Sequence, residues 1–189
     1  MSRKLSEMTL EELWRLFHII LVEHKIYWSD WFEEEAANLK KFLPKTARIS
    51  HIGSTAVPNI RAKPIVDILV EIESSMDNVK DILTNNGYIC MSEEINRMSF
   101  NKGYTENGFA ERVFHLHLRR IGDNDEIYFR DYLIENPDIA KEYEKLKLGL
   151  WKKFEHNRDE YTNQKTEFVR KYTEIAKEQK QWSIQWKNE

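Results

Sequence analysis

The sequence predicts an α+β fold in a single domain, residues 1–189, and three observations predict it. Apolar residues recur at helical spacing near both ends of the chain. The middle carries runs rich in β-branched residues, of which Pro64–Ile72 (PIVDILVEI) is the strongest. No internal repeat, low-complexity tract or long linker divides the two kinds of pattern.

The first helix is expected to begin at Thr9, which forms a capping box with Glu12; Leu10, Leu13, Trp14, Phe17 and Leu21 then keep helical spacing. A second helix follows Asp30, with Phe32, Ala36, Leu39 and Leu43 on one face and Pro44 as its stop. The acidic run Glu33–Glu35 would sit in its first turn, solvated and suited to the helix dipole. A strand at Arg48–Ile52 leads into the loop GSTAVPNIRAK and then into the buried strand PIVDILVEI. A short helix from about Asp77 to Asn86 stops at Gly87. Strands are expected around Tyr88–Met91, Arg97–Asn101 and Val113–Arg119, with Lys102–Glu111 as a loop. The C-terminal third reads as three helices. Asp125–Glu135 is followed by Asn136 and Pro137 as N-cap and first residue of the next. Ile139, Tyr143, Leu146, Leu150 and Phe154 mark the face of that helix, and the last begins near Asp159.

Composition excludes several classes. Apolar residues make up 41% and charged residues 32% of the chain, values of a globular protein with a solvated surface. No apolar run approaches the roughly 20 residues of a membrane span, and the N-terminal stretch lacks the apolar core of a secretory signal. With Cys90 the only cysteine, a cytoplasmic location is the expectation. The net charge of −3 and the absence of a basic block argue against nucleic acid as a partner. There is no GxxxxGK[ST] phosphate loop and no GxGxxG fingerprint.

The segment His51–Ile72 carries the chemistry. A strand, a Gly-Ser turn, and a second strand bearing an aspartate is an arrangement suited to phosphate. Gly53 lets the backbone approach a ligand, Ser54 and Thr55 add hydroxyl donors, and Asp67 could hold a cation that bridges phosphates. Lys63, at the entry to the aspartate strand, adds a positive charge. His51 points either into the same pocket or into the core. His115 and His117, two apart in a strand, share a face at about 7 Å between Cα atoms. If that strand neighbours Asp67, the three side chains form a candidate metal site.

HIGSTAVPNIRAKPIVDILVEI resembles the signature of the GrpB family, whose members are similar to nucleotidyltransferases in fold. TLEELWRLFHIILVEHKIYWSDWFEEE, His115–Leu118 (HLHL), YFRDYLIENPDIAKEYEKLK and YTNQKTEFV resemble its other blocks, so the likeness covers nearly the whole chain. It implies a mixed β-sheet flanked by N-terminal and C-terminal helices. In the nucleotidyltransferase pattern a Gly-Ser turn precedes a strand reading Asp-x-Asp or Asp-x-Glu. Gly53, Ser54 and Asp67 match; the second carboxylate is replaced by Leu69. Glu71 shares the face of Asp67 but lies roughly 13 Å along the strand. Arg130 and Lys165 fall within the family-like blocks and would add positive charge near a phosphate.

The expectation is a metal-dependent nucleotidyltransferase-like protein. His51, Gly53, Ser54, Thr55, Lys63, Arg130 and Lys165 would bind a nucleotide or other phosphorylated small molecule. Asp67, His115 and His117 would be catalytic and would hold a divalent metal, magnesium first, with manganese or zinc as alternatives. The alternatives are an inactive nucleotide- or coenzyme-binding protein, for which Leu69 speaks, and a metal-dependent phosphohydrolase built on the histidine pair. Trp182 and Trp186 would dock on the domain or on a partner.

Overall fold

The structure, a computed structural model, describes residues 4–185; Trp186 and the side chain of Trp182 lie outside what is described. The helices are α1 (Leu10–Leu16), α2 (Tyr27–Leu39), α3 (Met76–Asn85), α4 (Asp125–Glu135), α5 (Pro137–Phe154), α6 (Arg158–Asn163) and α7 (Thr166–Gln185). The strands are β1 (Arg48–Ile52), β2 (Val66–Ile72), β3 (Ile89–Glu93), β4 (Arg97–Thr105) and β5 (Gly108–Arg120). They form one mixed sheet in the order β1-β2-β5-β4-β3, in which the β2–β5 pair is parallel and the others antiparallel. The expected α+β class holds. Among the described residues no helix is long and apolar enough to cross a membrane.

Strand alternation gives the sheet two unlike faces. Val66, Ile68, Val70 and Ile72 of β2, with Phe114, Leu116 and Leu118 of β5, pack against α2 and α3 in the main core, where Trp28, Leu39, Leu83 and Phe100 are fully buried. Asp67, Leu69 and Glu71, with His115, His117 and Arg119, point the other way, toward the C-terminal helices. There Val57, Ile60, Phe129, Leu133, Tyr143 and Tyr172 form a second apolar cluster.

Several expected boundaries move, each for a local reason. The Thr9 capping box is present, but α1 ends at Leu16, where Phe17 leaves helical geometry and turns its ring onto Tyr104 and Phe109. Helix α2 begins at Tyr27 rather than after Asp30, so Glu33–Glu35 sits in mid-helix. Glu35 is not solvated: it is buried and accepts hydrogen bonds from Tyr88 Oη (2.7 Å) and Lys102 Nζ (2.6 Å). The expected loop Lys102–Glu111 is a hairpin of β4 and β5. Gly103 marks a bulge there, at φ 90°, and a Cβ on it would lie 2.3 Å from the Arg112 carbonyl oxygen. The last helix is broken into α6 and α7 at Gln164–Lys165.

Candidate functional site

Register places Asp67 beside His115 and Leu69 beside His117 on the parallel β2–β5 pair. Asp67 Oδ1 lies 3.3 Å from His115 Nδ1 and 3.8 Å from His117 Nε2. Burial pushes the Asp67 carboxyl up, but the two imidazoles outweigh it and hold the group well below the usual carboxylate range. His115 is driven the other way by burial, down to about 4, despite Asp67. Its Nε2 faces Tyr104 Oη at 2.7 Å, and that hydroxyl accepts a bond from Arg158 Nη2 (2.9 Å). A neutral His115 therefore accepts from Tyr104 at Nε2 and turns Nδ1–H toward Asp67.

A cavity of about 630 Å³ opens over this face. Gly53, Ser54, Asp67, His117, Arg130 and Lys165, all expected site residues, line it. Phe129, Leu133, Tyr143 and Val169 supply apolar wall. Gly53 also makes room within the fold. It adopts φ 72°, and a Cβ there would lie 2.2 Å from Asp67 Oδ2, so the space its missing side chain leaves is filled by that carboxylate.

Three expected phosphate-binding residues lie elsewhere. Thr55 is 3% exposed and its hydroxyl meets His51 Nε2 at 3.0 Å. His51 stacks on Phe32 of α2, with ring centroids 4.8 Å apart, and burial lowers it to about 4. These two residues brace the turn from the α2 side of the strand and do not line the cavity. Lys63 lines a small neighbouring recess with Arg158 rather than the large cavity. Arg130 does line the cavity, yet its guanidinium donates to the His51 carbonyl (2.7 Å) and twice to Asp131 (2.8 and 2.6 Å).

Lys147, which sequence reasoning missed, is 2% exposed on α5 and donates to Ser54 Oγ at 2.9 Å and to the Arg61 carbonyl. Its spacing from Tyr143, one helical turn, was visible in the sequence, but a lysine amid Lys145, Lys147, Lys152 and Lys153 looks solvated until the packing is known. Burial first and the neighbouring Lys165 second bring Lys147 down to about 7. Lys63 is brought to about 7 by burial, Lys165 and Arg158, and Lys165 to about 8 by burial. Each of the three feels the charge of Asp67.

These residues do not fit a resident divalent metal. Leu69, in the second carboxylate place, is fully buried, and Glu71 is spent on Gly122 N (2.9 Å) and Asn124 Nδ2 (3.1 Å). His117 Nδ1 is approached by Arg119 Nη2 at 3.4 Å, which favours a proton on the Nε2 that faces Asp67. Asp67, His115 and His117 do converge as expected. Among the described residues, however, no three His, Cys, Asp or Glu side chains are placed to hold a metal ion.

The sequence profile of the family described as GrpB protein matches residues 18–175. The glutamate-rich protein GrpB of Alkalihalophilus pseudofirmus is 37% identical over 159 residues, 80% of this chain and 91% of that protein. The UPF0157 protein YqkA of Bacillus subtilis is 36% identical over 169 residues, 86% of this chain; the match spans only 48% of YqkA, about half its length. The crystal structure of the conserved protein GrpB from Enterococcus faecalis superposes with a TM-score of 0.73 at 34% identity, covering 86% of this chain and 99% of that one. A structure of the Cid1 poly(U) polymerase is more distant, with a TM-score of 0.45 at 15% identity over 77% of this chain and 47% of that one.

Proposed function

The chain belongs to the GrpB family, and from that premise and its own geometry we propose that the cavity binds a nucleotide or related phosphorylated small molecule, with the phosphate at Ser54 and Lys165. The observation that carries this reading is a set of lysines with lowered pKa beside Asp67. Lys165 lines the cavity with Asp67, Lys147 is buried behind Ser54, and Lys63 adjoins from the neighbouring recess; all three feel the charge of that carboxylate. Holding positive charge in such surroundings is costly, and a bound phosphate would offset that cost. Phe129, Leu133 and Val169 offer a surface for the apolar part of the same ligand. Asp67 and His117 face the reacting end, as groups that orient it; no step in this reading passes through a metal.

Thermal shift and calorimetry with inorganic phosphate and with nucleoside mono-, di- and triphosphates, with and without magnesium, test the proposal. Phosphorylated compounds should stabilise the protein without added metal, and Lys165→Met should weaken their binding about tenfold or more, in keeping with loss of a hydrogen bond to a charged group. Equal stabilisation by unphosphorylated nucleosides, or none by any phosphate, would overturn it.

A further inference from the structure

Ser54, Tyr143 and Lys147 form a constellation that phosphate binding alone does not explain. Ser54 and Tyr143 both line the cavity, while Lys147 sits behind them, closed off from solvent. Lys147 Nζ is 2.9 Å from Ser54 Oγ, and the Tyr143 hydroxyl is close enough to the same serine to feel it. Lys147 also lies over the Tyr143 ring, 4.9 Å from its centroid, one turn along α5.

Backbone geometry holds the serine still. It opens a tight helical turn, Ser54–Ala56, entered through Gly53 at φ 72° and closed by Val57 N donating to the Ser54 carbonyl. The amine is equally fixed, because one of its N–H groups donates to the Arg61 carbonyl.

We propose that Ser54 is a nucleophile, with Lys147 as its general base and Tyr143 as the hydroxyl that orients it, acting on the phosphorus of a phosphate ester or anhydride held in the cavity. This rests on the phosphate reading above. Lys147 Nζ donates to Ser54 Oγ when charged; once neutral it keeps one N–H on the Arg61 carbonyl and, at the same 2.9 Å, can turn its lone pair to the serine proton. Ser54 Oγ attacks phosphorus, the Oγ–P bond forms, and the bond from phosphorus to the leaving oxygen breaks. The serine proton passes to Lys147 Nζ. The leaving oxygen takes the electron pair of the broken bond and a proton from solvent, and Lys147 later releases the serine proton, so no proton is gained or lost overall. The products are phosphoserine and a free alcohol from an ester or a free phosphate from an anhydride, and Lys165, which lines the same cavity, supplies countercharge to the phosphoryl oxygens. The neutral state of Lys147 is accessible near pH 7, because burial and Lys165 outweigh Glu144 on its own helix and Asp67 on β2.

A fluorophosphonate probe reports on this directly, since an activated serine displaces its fluoride and keeps the phosphorus. We expect labelling of the intact protein, mapped by peptide mass spectrometry to Ser54 and absent in Ser54→Ala. Lys147→Arg keeps the positive charge but cannot serve as a base near neutral pH. In this variant labelling should fall about a hundredfold, the scale of general-base assistance. Tyr143→Phe should fall less. In the unmodified protein, labelling should rise as pH passes through about 7, a readout that stands even if a variant folds poorly. Wild-type protein that is stabilised by phosphate yet shows no adduct at Ser54 overturns the nucleophile and leaves the binding reading intact. Equal labelling in Lys147→Arg overturns the base.

Discussion

The two faces of the sheet differ in how they handle buried charge. Toward α2 and α3, Glu35 is buried, and Tyr88 and Lys102 both donate to it, so charge and hydrogen bonds close on themselves. Toward α4–α7, three lysines with lowered pKa feel one aspartate, beside an open cavity whose wall carries charges of both signs. Both faces come from the same two strands, read at alternate residues. The first is built for stability alone. The face toward α4–α7 is the one on which the proposed phosphate would bind.

Removing bulk from the first face should separate stability from binding most sharply. Phe100 is fully buried in the core against α2 and α3, and Phe100→Ala should cost about 3–5 kcal/mol in urea unfolding. The fraction that stays folded should still bind phosphate with unchanged affinity. A parallel loss of affinity would mean that the two faces are not independent. Gly53→Ala joins them from the other side. The positive-φ, extended backbone costs an alanine about 1–3 kcal/mol, and its Cβ must also displace the Asp67 carboxylate. Phosphate binding should fall together with stability. Retention of full affinity would show that the placement of Asp67 does not matter to the ligand.

Much of the fold was legible because periodicity is local. The β-branched run of β2, the Thr9 capping box and the proline that opens α5 all stand where the residues suggested. The hairpin at Gly103 was not legible, since a glycine reads as loop until the partner strand makes it a bulge. Motif and spacing pick out Gly53, Ser54, Asp67 and His117, and the structure brings all four to one cavity. His51 and Thr55 were assigned to the ligand because they neighbour the turn, but the strand sends His51 to α2, where it takes Thr55 with it. Tyr104, Arg158 and Lys147 reach the site from β4, α6 and α5, through contacts across more than fifty residues of sequence in the case of Tyr104 and Arg158. No local pattern could have joined them.

The smallest expected effect comes from pH, and it sets the faces apart without any mutation. Lys63, Lys147 and Lys165 have folded pKa values of about 7, 7 and 8, well below their ordinary value near 10.5. Between these limits the unfolded chain binds more protons than the folded one, so stability without ligand should rise as pH climbs from about 7 to about 9. Anion affinity should move the opposite way, because the cations that hold the ligand lose their protons over the same window. Sulfate is the probe of choice, since its own charge stays constant there. Its dissociation constant should weaken about tenfold from pH 6 to pH 9, and Lys165→Met should flatten that slope. A sulfate affinity that stays level, or strengthens, with rising pH would mean that the lysines do not carry the binding, and the contrast between the faces would then be one of packing only.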